Sequence, residues 1–307
     1  MLSLLRVVPL LACFCLASAC MTPPPETPPD TPPYTPGDTA RDPVGEIWTY
    51  DSGRTRLKAY RSGSGPEIVM FASAGREASD FNDLVPRLTD AGYAVTLFEA
   101  PGINGVQAST DAPTLFDLAD DAAIYLETRQ EPVVVLGHAF GNRLARAVAT
   151  RHPDKVRGVI LLAAGGLKPI HEKASTALMQ SFDPRLSPED HREAVRYGFF
   201  ADGNEIPDYW LRGWHAETGR LQGAATHAVD SKLWWTGGGK PLLVVAGLQD
   251  RIAPPADTID LLEAELGDQV TAVRIDGAGH ALLPEVPDEI AAAITDWLAG
   301  LPDQGPQ

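Results

Sequence analysis

The feature that most constrains the fold is a series of short, almost wholly apolar runs rich in valine, isoleucine and leucine. Six of them suit buried strands, at residues 67–72, 93–98, 132–136, 156–163, 242–246 and 270–275. The segments between and after them have the apolar spacing of helices, at residues 79–91, 114–129, 140–151, 254–266 and 286–298. Such alternation predicts a mainly parallel, doubly wound α/β sheet, whose ligand sites lie at the carboxyl ends of the strands.

One long segment interrupts this alternation. Residues 166–239 are polar, rich in tryptophan and punctuated by proline and glycine, with helices predicted near 188–197 and 208–220. We expect this segment to form a helical cap over the end of the sheet. Trp210 and Trp214 stand four residues apart, so a helix would place them on one face. There they either line a ligand pocket or pack the cap onto the core.

A glycine-flanked turn follows the strand at 132–136 and opens the next helix. Its residues are Gly137, His138, Ala139, Phe140 and Gly141. A strand, a G-x-x-x-G turn and a helix are typical of a nucleophile elbow, whose glycines let neighbouring backbone approach a strained central residue. That residue is normally serine, but here it is Ala139, which has no oxygen for attack. Positive φ is expected at this position, and it costs an alanine roughly 1 kcal/mol.

Two polar residues follow later strands in the order that completes a catalytic triad. Asp250, in Gly-Leu-Gln-Asp, follows the strand at 242–246, and His280, in Gly-Ala-Gly-His, follows the strand at 270–275. With the elbow, these motifs resemble the α/β-hydrolase superfamily over about residues 67–298. The chain looks most similar to its capped, single-domain branch of esterases, epoxide hydrolases and carbon–carbon bond hydrolases. This resemblance implies that Asp250 orients His280.

The same resemblance implies an oxyanion hole, although the chain departs from the family pattern at two turns. Relatives usually have His-Gly after the first buried strand, where this chain has Ser73-Ala74-Gly75-Arg76. They often have Arg-Gly-x-Gly-x-Ser after the next one, where residues 99–105 read Glu-Ala-Pro-Gly-Ile-Asn-Gly. A backbone N–H does not depend on side-chain identity, so we expect the Phe140 and Ala74 amides to be the oxyanion donors.

Three interpretations of Ala139 are open. The chain is a degenerate enzyme that binds a ligand or partner, a non-covalent enzyme with His280 as general base, or a serine-to-alanine variant made to trap a substrate. Losing a covalent nucleophile typically removes about 10⁴–10⁶ in rate, so we expect no serine-type acyl transfer. We predict a hydrolase of a small organic substrate that acts non-covalently through His280 and Asp250. The alternative is an inactive pseudo-hydrolase that binds a ligand or partner.

Charge and cysteine content exclude several kinds of site. Lysine and arginine number 25 against 41 aspartates and glutamates, and the net charge of −16 repels phosphates, so we expect no nucleic acid partner. All three cysteines lie in the first twenty residues, which excludes cysteine-based zinc sites from the rest of the chain. The histidines lack metal-binding spacing, and no glycine-rich phosphate loop precedes a helix. We therefore predict no metal and no cofactor.

The first twenty residues have the pattern of an export signal. A short segment with one positive charge precedes an apolar run at 7–16 and the small residues Ala-Ser-Ala-Cys, which end at Cys20. This ending resembles the bacterial lipoprotein box, in which the cysteine is lipidated and becomes the new N-terminus. Residues 10–13 fit the letters of the box better, but they leave only six apolar residues after Arg6, so we place the lipid on Cys20. An ordinary signal peptide that ends near Ala19 is the alternative.

The next segment is rich in proline and threonine. Residues 20–43 are expected to form an extended tether without a core, because proline fixes φ and removes hydrogen-bond donors. The predicted organisation is therefore a signal peptide at 1–19, a tether at 20–43 and an α/β-hydrolase domain at 44–307, with the cap at about 166–239. We expect an exported protein held by its lipid to the bacterial cell envelope, at the outer membrane or the periplasmic face.

Overall fold

The apolar runs lie side by side in one sheet. The computed structural model describes residues 34–301; the predicted signal peptide, the lipidation site at Cys20 and most of the predicted tether lie outside these described residues. Within them, no helix has the length and apolar content that a membrane crossing requires.

The sheet of residues 34–301 has eight strands in the order β1-β2-β4-β3-β5-β6-β7-β8. The strands are β1 (Glu46–Asp51), β2 (Arg56–Ser62), β3 (Glu67–Phe71), β4 (Ala94–Phe98), β5 (Val133–His138), β6 (Val156–Leu162), β7 (Leu242–Gly247) and β8 (Val270–Ile275). The strand β2 pairs antiparallel with both β1 and β4, and every other pairing is parallel. The predicted fold class, a mainly parallel α/β sheet, is confirmed.

Helices cover both faces of this sheet. The α-helices of the described residues are α1 (Val85–Asp90), α2 (Leu115–Leu126), α3 (Phe140–Arg151), α4 (Glu172–Gln180), α5 (Pro188–Phe199), α6 (Ala216–His227), α7 (Ile259–Leu266) and α8 (Pro287–Gly300). Alternate residues of β5 face opposite layers: Val135 packs with α2 and α3, and Val134 packs with α1 and α8. This two-sided burial explains why the strands read as continuous apolar runs.

Two predicted helices are shorter than expected because proline interrupts them. The segment 79–91 forms a short 3₁₀ helix and then α1, which begins just before Pro86. The segment 254–266 forms a 3₁₀ turn at Pro255–Asp257 before α7. Proline has no N–H and is tolerated only in the first turn of a helix, so α1 has Pro86 in its first turn and α7 begins after the 3₁₀ turn at the prolines.

Residues 166–239 contain α4, α5 and α6, but the single helix predicted over 208–220 is wrong. A short 3₁₀ helix at Asp208–Leu211 is separated from α6 by Gly213, whose φ of 73° turns the chain. A left-handed residue cannot continue a right-handed helix, so α6 starts afresh at Ala216.

Trp210 and Trp214 therefore do not share a helix face, although they touch. Their ring centroids lie 5.7 Å apart, the Trp214 indole N–H donates to the Trp210 carbonyl at 2.7 Å, and both rings pack against Phe199. Both side chains are almost wholly buried in the core of the cap. Of the two roles considered for them, the structure shows packing of the cap.

The last ten residues of the predicted tether, 34–43, are packed on the folded body. The Pro36 and Asp38 carbonyls accept from the Trp214 and Gly213 amides at 2.7 Å, and Arg41 pairs with Asp83 at 3.0 Å. Prolines remove donors but keep their carbonyl acceptors, and amides of the cap supply the donors. The prediction that the tether extends to residue 43 is wrong.

Candidate active site

The turn between β5 and α3 places Ala139 at a strained backbone position. Its φ is 49° and its ψ is −108°, in agreement with the expected positive φ. A Cβ added to Gly137 would lie 2.0 Å from the Gly141 carbonyl carbon, and one added to Gly141 would lie 1.9 Å from the Phe71 oxygen. Only glycine fits at these two positions, and their close packing holds Ala139 in its strained conformation.

His280 and Asp250 form a buried hydrogen-bonded pair. His280 Nδ1 lies 2.8 Å from Asp250 Oδ2, and neither side chain is more than 5% exposed. The other carboxylate oxygen accepts from the backbone amides of Ile252 at 2.9 Å and Ala253 at 2.7 Å, which fixes the plane of the carboxylate. The His280 Nδ1–H therefore donates to Asp250, and Nε2 is left with its lone pair free to accept a proton.

The proposed oxyanion donors lie beside this pair. Neither the Ala74 amide nor the Phe140 amide donates a hydrogen bond to another group in the described part of the chain. Both residues line the same cavity as Ala139 and His280. Two unengaged N–H groups at one cavity wall have the donor set that a developing oxyanion requires.

The cap holds the loop that carries Ala74. The Gly75 amide donates to Gln222 Oε1 at 2.7 Å, and the Gly75 carbonyl accepts from the His215 amide at 2.8 Å. The bonds of both polar groups of Gly75 to the cap fix the backbone next to Ala74. Sequence reasoning missed Gln222, because its partner is 147 residues away and no local pattern marks it.

A buried arginine strengthens the same contact between loop and cap. The Arg76 guanidinium pairs with Asp80 at 2.6 Å and lies 4.5 Å from the ring centres of both Trp210 and Trp214. All four side chains are almost fully buried. A paired and stacked guanidinium holds the loop that carries Ala74 against the cap at a fixed distance.

Glu285 connects the loop that carries His280 to the cap through hydrogen bonds. Its carboxylate accepts from the amides of Gly279 at 2.9 Å and Leu282 at 3.1 Å, on either side of His280. It also accepts from the Ala201 amide and the Asn204 side chain of the cap, both at 2.8 Å. Glu285 was not predicted from the sequence, and it is a positioning residue for His280.

His138, in the elbow, supports the backbone of His280. Its Nε2 donates to the His280 carbonyl at 2.8 Å, and its Nδ1 is buried with no partner in the described residues. Burial, reinforced by the nearby His280, lowers the pKa of His138 to about 4, so the ring is neutral at pH 7. His138 therefore packs under the site and does not take part in proton transfer.

This burial predicts an acid-sensitive contribution to stability. Between the unfolded pKa of 6.5 and the folded pKa of about 4, the unfolded chain binds one proton more at His138, so stability falls as the pH falls. The loss is about 3 kcal/mol over that interval, at about 1.4 kcal/mol per pH unit. His138→Gln keeps a donor for the His280 carbonyl but cannot titrate, so its urea-derived free energy of unfolding should fall less between pH 7 and pH 4. Parallel pH profiles for the two proteins would contradict this assignment.

The site opens into a cavity of about 1040 Å³ between the sheet and the cap, large enough for a small organic molecule. Side chains of α4 and α6 form its outer wall. Ser73 also lines it, and the Ser73 hydroxyl has no hydrogen-bond partner in residues 34–301. Among those residues, no group of three or more His, Cys, Asp or Glu side chains is arranged to hold a metal ion.

Comparison with known proteins agrees with the fold. The chain is 25% identical over 277 residues to haloalkane dehalogenase 2 of Mycobacterium tuberculosis, an alignment that covers 80% of this chain and 93% of that protein. It is 27% identical over 265 residues to the pimeloyl-[acyl-carrier protein] methyl ester esterase of Stenotrophomonas maltophilia, covering 78% and 95%. A carboxylesterase structure from Bacillus subtilis superposes with a TM-score of 0.70 at 13% identity, covering 83% of this chain and 92% of that one. Residues 62–293 match the alpha/beta hydrolase family. The chain therefore belongs to the alpha/beta hydrolase family.

Proposed function

We propose that this protein hydrolyses a small organic ester without a covalent intermediate, using His280 as the general base. The observation that carries the proposal is His280, which lines the cavity, has its Nδ1 held by a buried carboxylate and makes no hydrogen bond through Nε2 in the described residues. Ala139 stands where a nucleophile would be, so the space next to its methyl group is available to a water molecule.

The reaction follows from these positions. Nε2 takes a proton from the water as its oxygen attacks the ester carbonyl carbon, and the developing oxyanion accepts from the Ala74 and Phe140 amides. The carbonyl then re-forms, the carbon–oxygen bond to the alcohol breaks, and His280 returns its proton to the leaving alkoxide. The products are a carboxylic acid and an alcohol, and Asp250 stabilises the imidazolium formed between the two steps.

Two observations favour an ester over an alkyl halide, the substrate class named for one of the relatives. The two free amide donors serve a carbonyl oxygen that gains charge, and displacement of a halide creates no such oxygen. Halide displacement also needs a strong nucleophile at the reacting carbon, and an alanine at the elbow supplies none. The other relative is named as a methyl ester esterase, which agrees with the ester assignment.

A second candidate function is ligand binding without turnover, and Ala139 itself is the observation in its favour. Removal of a covalent nucleophile costs most of the rate of a triad enzyme, and an intact pocket still binds its ligand. This candidate predicts saturable binding of an ester with no hydrolysis above the solvent rate.

The test compares hydrolysis by the unmodified chain and by His280→Gln. A general base contributes about 10²–10⁴ in rate, so we expect kcat for a small activated ester to fall by about that factor in the variant. His227→Gln is the matched control, because His227 also lines the cavity but bonds only the Gly223 carbonyl of its own helix. An unchanged kcat in His280→Gln, or no turnover by the unmodified chain, would contradict the proposed hydrolase and favour the ligand-binding function.

We further propose that the mature protein is exported and held to the cell envelope by lipid on Cys20. The apolar run and the small residues before Cys20 support this proposal. We expect the full-length chain to fractionate with membranes and to incorporate labelled palmitate, and Cys20→Ser to lose both properties. A Cys20→Ser protein that still carries label would show that another cysteine is lipidated. Cys13→Ser is the matched variant for that case.

A further inference from the structure

Arg143 is a cation of the cavity wall that has no partner among residues 34–301. It lies on α3, four residues after Ala139, and it lines the same cavity as His280. In the described part of the chain its guanidinium makes no hydrogen bond and no ion pair, and its Nε is buried without a partner. Burial lowers the pKa of Arg143, and no neighbouring carboxylate opposes the shift. Arg143 is half-buried, with its Nε enclosed and its terminal guanidinium nitrogens reachable from the cavity. A cation without a counter-ion at a ligand cavity points to a ligand that compensates its charge.

The neighbouring Arg146 shows what a structural arginine looks like on the same helix. Its guanidinium donates to the Gly165 carbonyl at 2.8 Å and lies 4.8 Å and 4.6 Å from the ring centres of Trp234 and Trp235. Arg146 is therefore bonded within the protein, whereas Arg143 makes no such bonds in the described residues. The positive charge of Arg146 also adds to the field at Arg143, since both guanidinium groups belong to one stretch of α3.

The acidic residues of the cavity do not neutralise Arg143, because each has a partner of its own. Asp183 pairs with Arg185 at 2.7 Å, Glu217 pairs with Arg220, and Asp257 lies 3.5 Å from His171. The cavity lining has four lysine and arginine side chains against these three carboxylates, in a chain whose net charge is −16. The cavity therefore favours an anion that the rest of the surface repels.

We propose that Arg143 binds a carboxylate carried by the substrate, which makes the substrate a small ester with a free carboxylate elsewhere on its acyl chain. This inference rests on the proposed ester hydrolysis for its reactive end and on Arg143 alone for its charged end. A carboxylate matches the site because it is planar, carries one negative charge and accepts two parallel N–H bonds from one guanidinium.

Binding tests the charged end without turnover. The probes are the monomethylamides of dicarboxylic acids of four to eight carbons and their neutral bis-methylamides, titrated calorimetrically into the full chain. At the best chain length we expect the carboxylate to bind about 10- to 100-fold more tightly than its neutral partner. Arg143→Gln should abolish this preference and leave the affinity for the neutral probe unchanged. Arg220→Gln removes an arginine of the same cavity that is already paired and exposed, so it should keep the preference within about twofold.

Stability provides an independent readout. Arg143→Gln removes a half-buried charge that has no counter-ion in the described residues, so its melting temperature should equal or exceed that of the unmodified chain. A preference that survives Arg143→Gln, an equal loss in Arg220→Gln, or a marked drop in melting temperature would overturn the proposal. Competition by inorganic phosphate at the affinity of the carboxylate probe would overturn the choice of a carboxylate.

Turnover separates the failure of this inference from the failure of the proposed function. The substrates are the monomethyl and dimethyl esters of the same diacids. Hydrolysis of both esters at equal rates, dependent on His280 but not on Arg143, would support the proposed hydrolase and contradict the carboxylate site. Tight binding that depends on Arg143, with no hydrolysis, would support the carboxylate site and contradict the proposed hydrolase.

Discussion

The Ala139→Ser variant is expected to hydrolyse activated esters about 10³- to 10⁵-fold faster than the unmodified chain. The rest of a triad enzyme is in place, because the elbow already holds residue 139 at φ 49° and His280 Nε2 has no competing partner in the described residues. A serine hydroxyl at this position needs only to donate its proton to Nε2 to become a nucleophile. The measurement is the release of p-nitrophenol from p-nitrophenyl butyrate, with a pre-steady-state burst as the sign of an acyl-enzyme.

The matched control for this variant is Ala163→Ser. Ala163 also lines the cavity and is buried. It has a similar positive φ, 48°, and directly follows the neighbouring strand β6. It does not occupy the elbow, so a serine there should gain nothing. Fluorophosphonate labelling followed by mass spectrometry should modify residue 139 alone in Ala139→Ser. An equal gain in the control, or no label in a folded Ala139→Ser protein, would show that Asp250 and His280 are retained as packing only.

In the Ala139→Ser background, Asp250→Asn is expected to lower kcat by about 10⁴-fold. The Ile252 and Ala253 amides are both donors to one oxygen of residue 250, so an asparagine would turn its carbonyl oxygen toward them. Its NH₂ group would then face His280 Nδ1, which would have to accept. The proton would move to Nε2, the nitrogen that must be free to act as base.

The control for this second variant is Asp183→Asn, which changes a cavity carboxylate that is paired only with Arg185. It should retain activity within a few-fold, and both variants should keep the affinity for a neutral ligand. An Asp250→Asn protein that is folded, binds ligand and retains full activity would exclude the histidine from the reaction.

The sequence predicted those parts of the fold and site that depend on local patterns. The strands were visible as apolar runs, and Ala139, Asp250 and His280 were visible because each lies in the turn or loop that follows a strand. The residues that position them were not visible, because Gln222 and Glu285 act on backbone amides brought near by the fold. The cap was predicted as a region, but Gly213 divides one of its helices. Residues 34–43 were predicted as part of the tether because of their composition. Composition does not show that their backbone carbonyls accept hydrogen bonds from amides that are distant in sequence.

The strained backbone at Ala139 has a consequence for how this chain can change over generations. Every alanine codon becomes a serine codon through one base substitution in its first position. The conformation that a serine nucleophile needs is already enforced by Gly137 and Gly141, so no second, compensating mutation is required. Selection of a mutagenised gene for growth on an ester should therefore recover that single change before any other. The chain and its serine-containing counterpart therefore differ by one nucleotide, and the change requires no rearrangement of the backbone at residue 139.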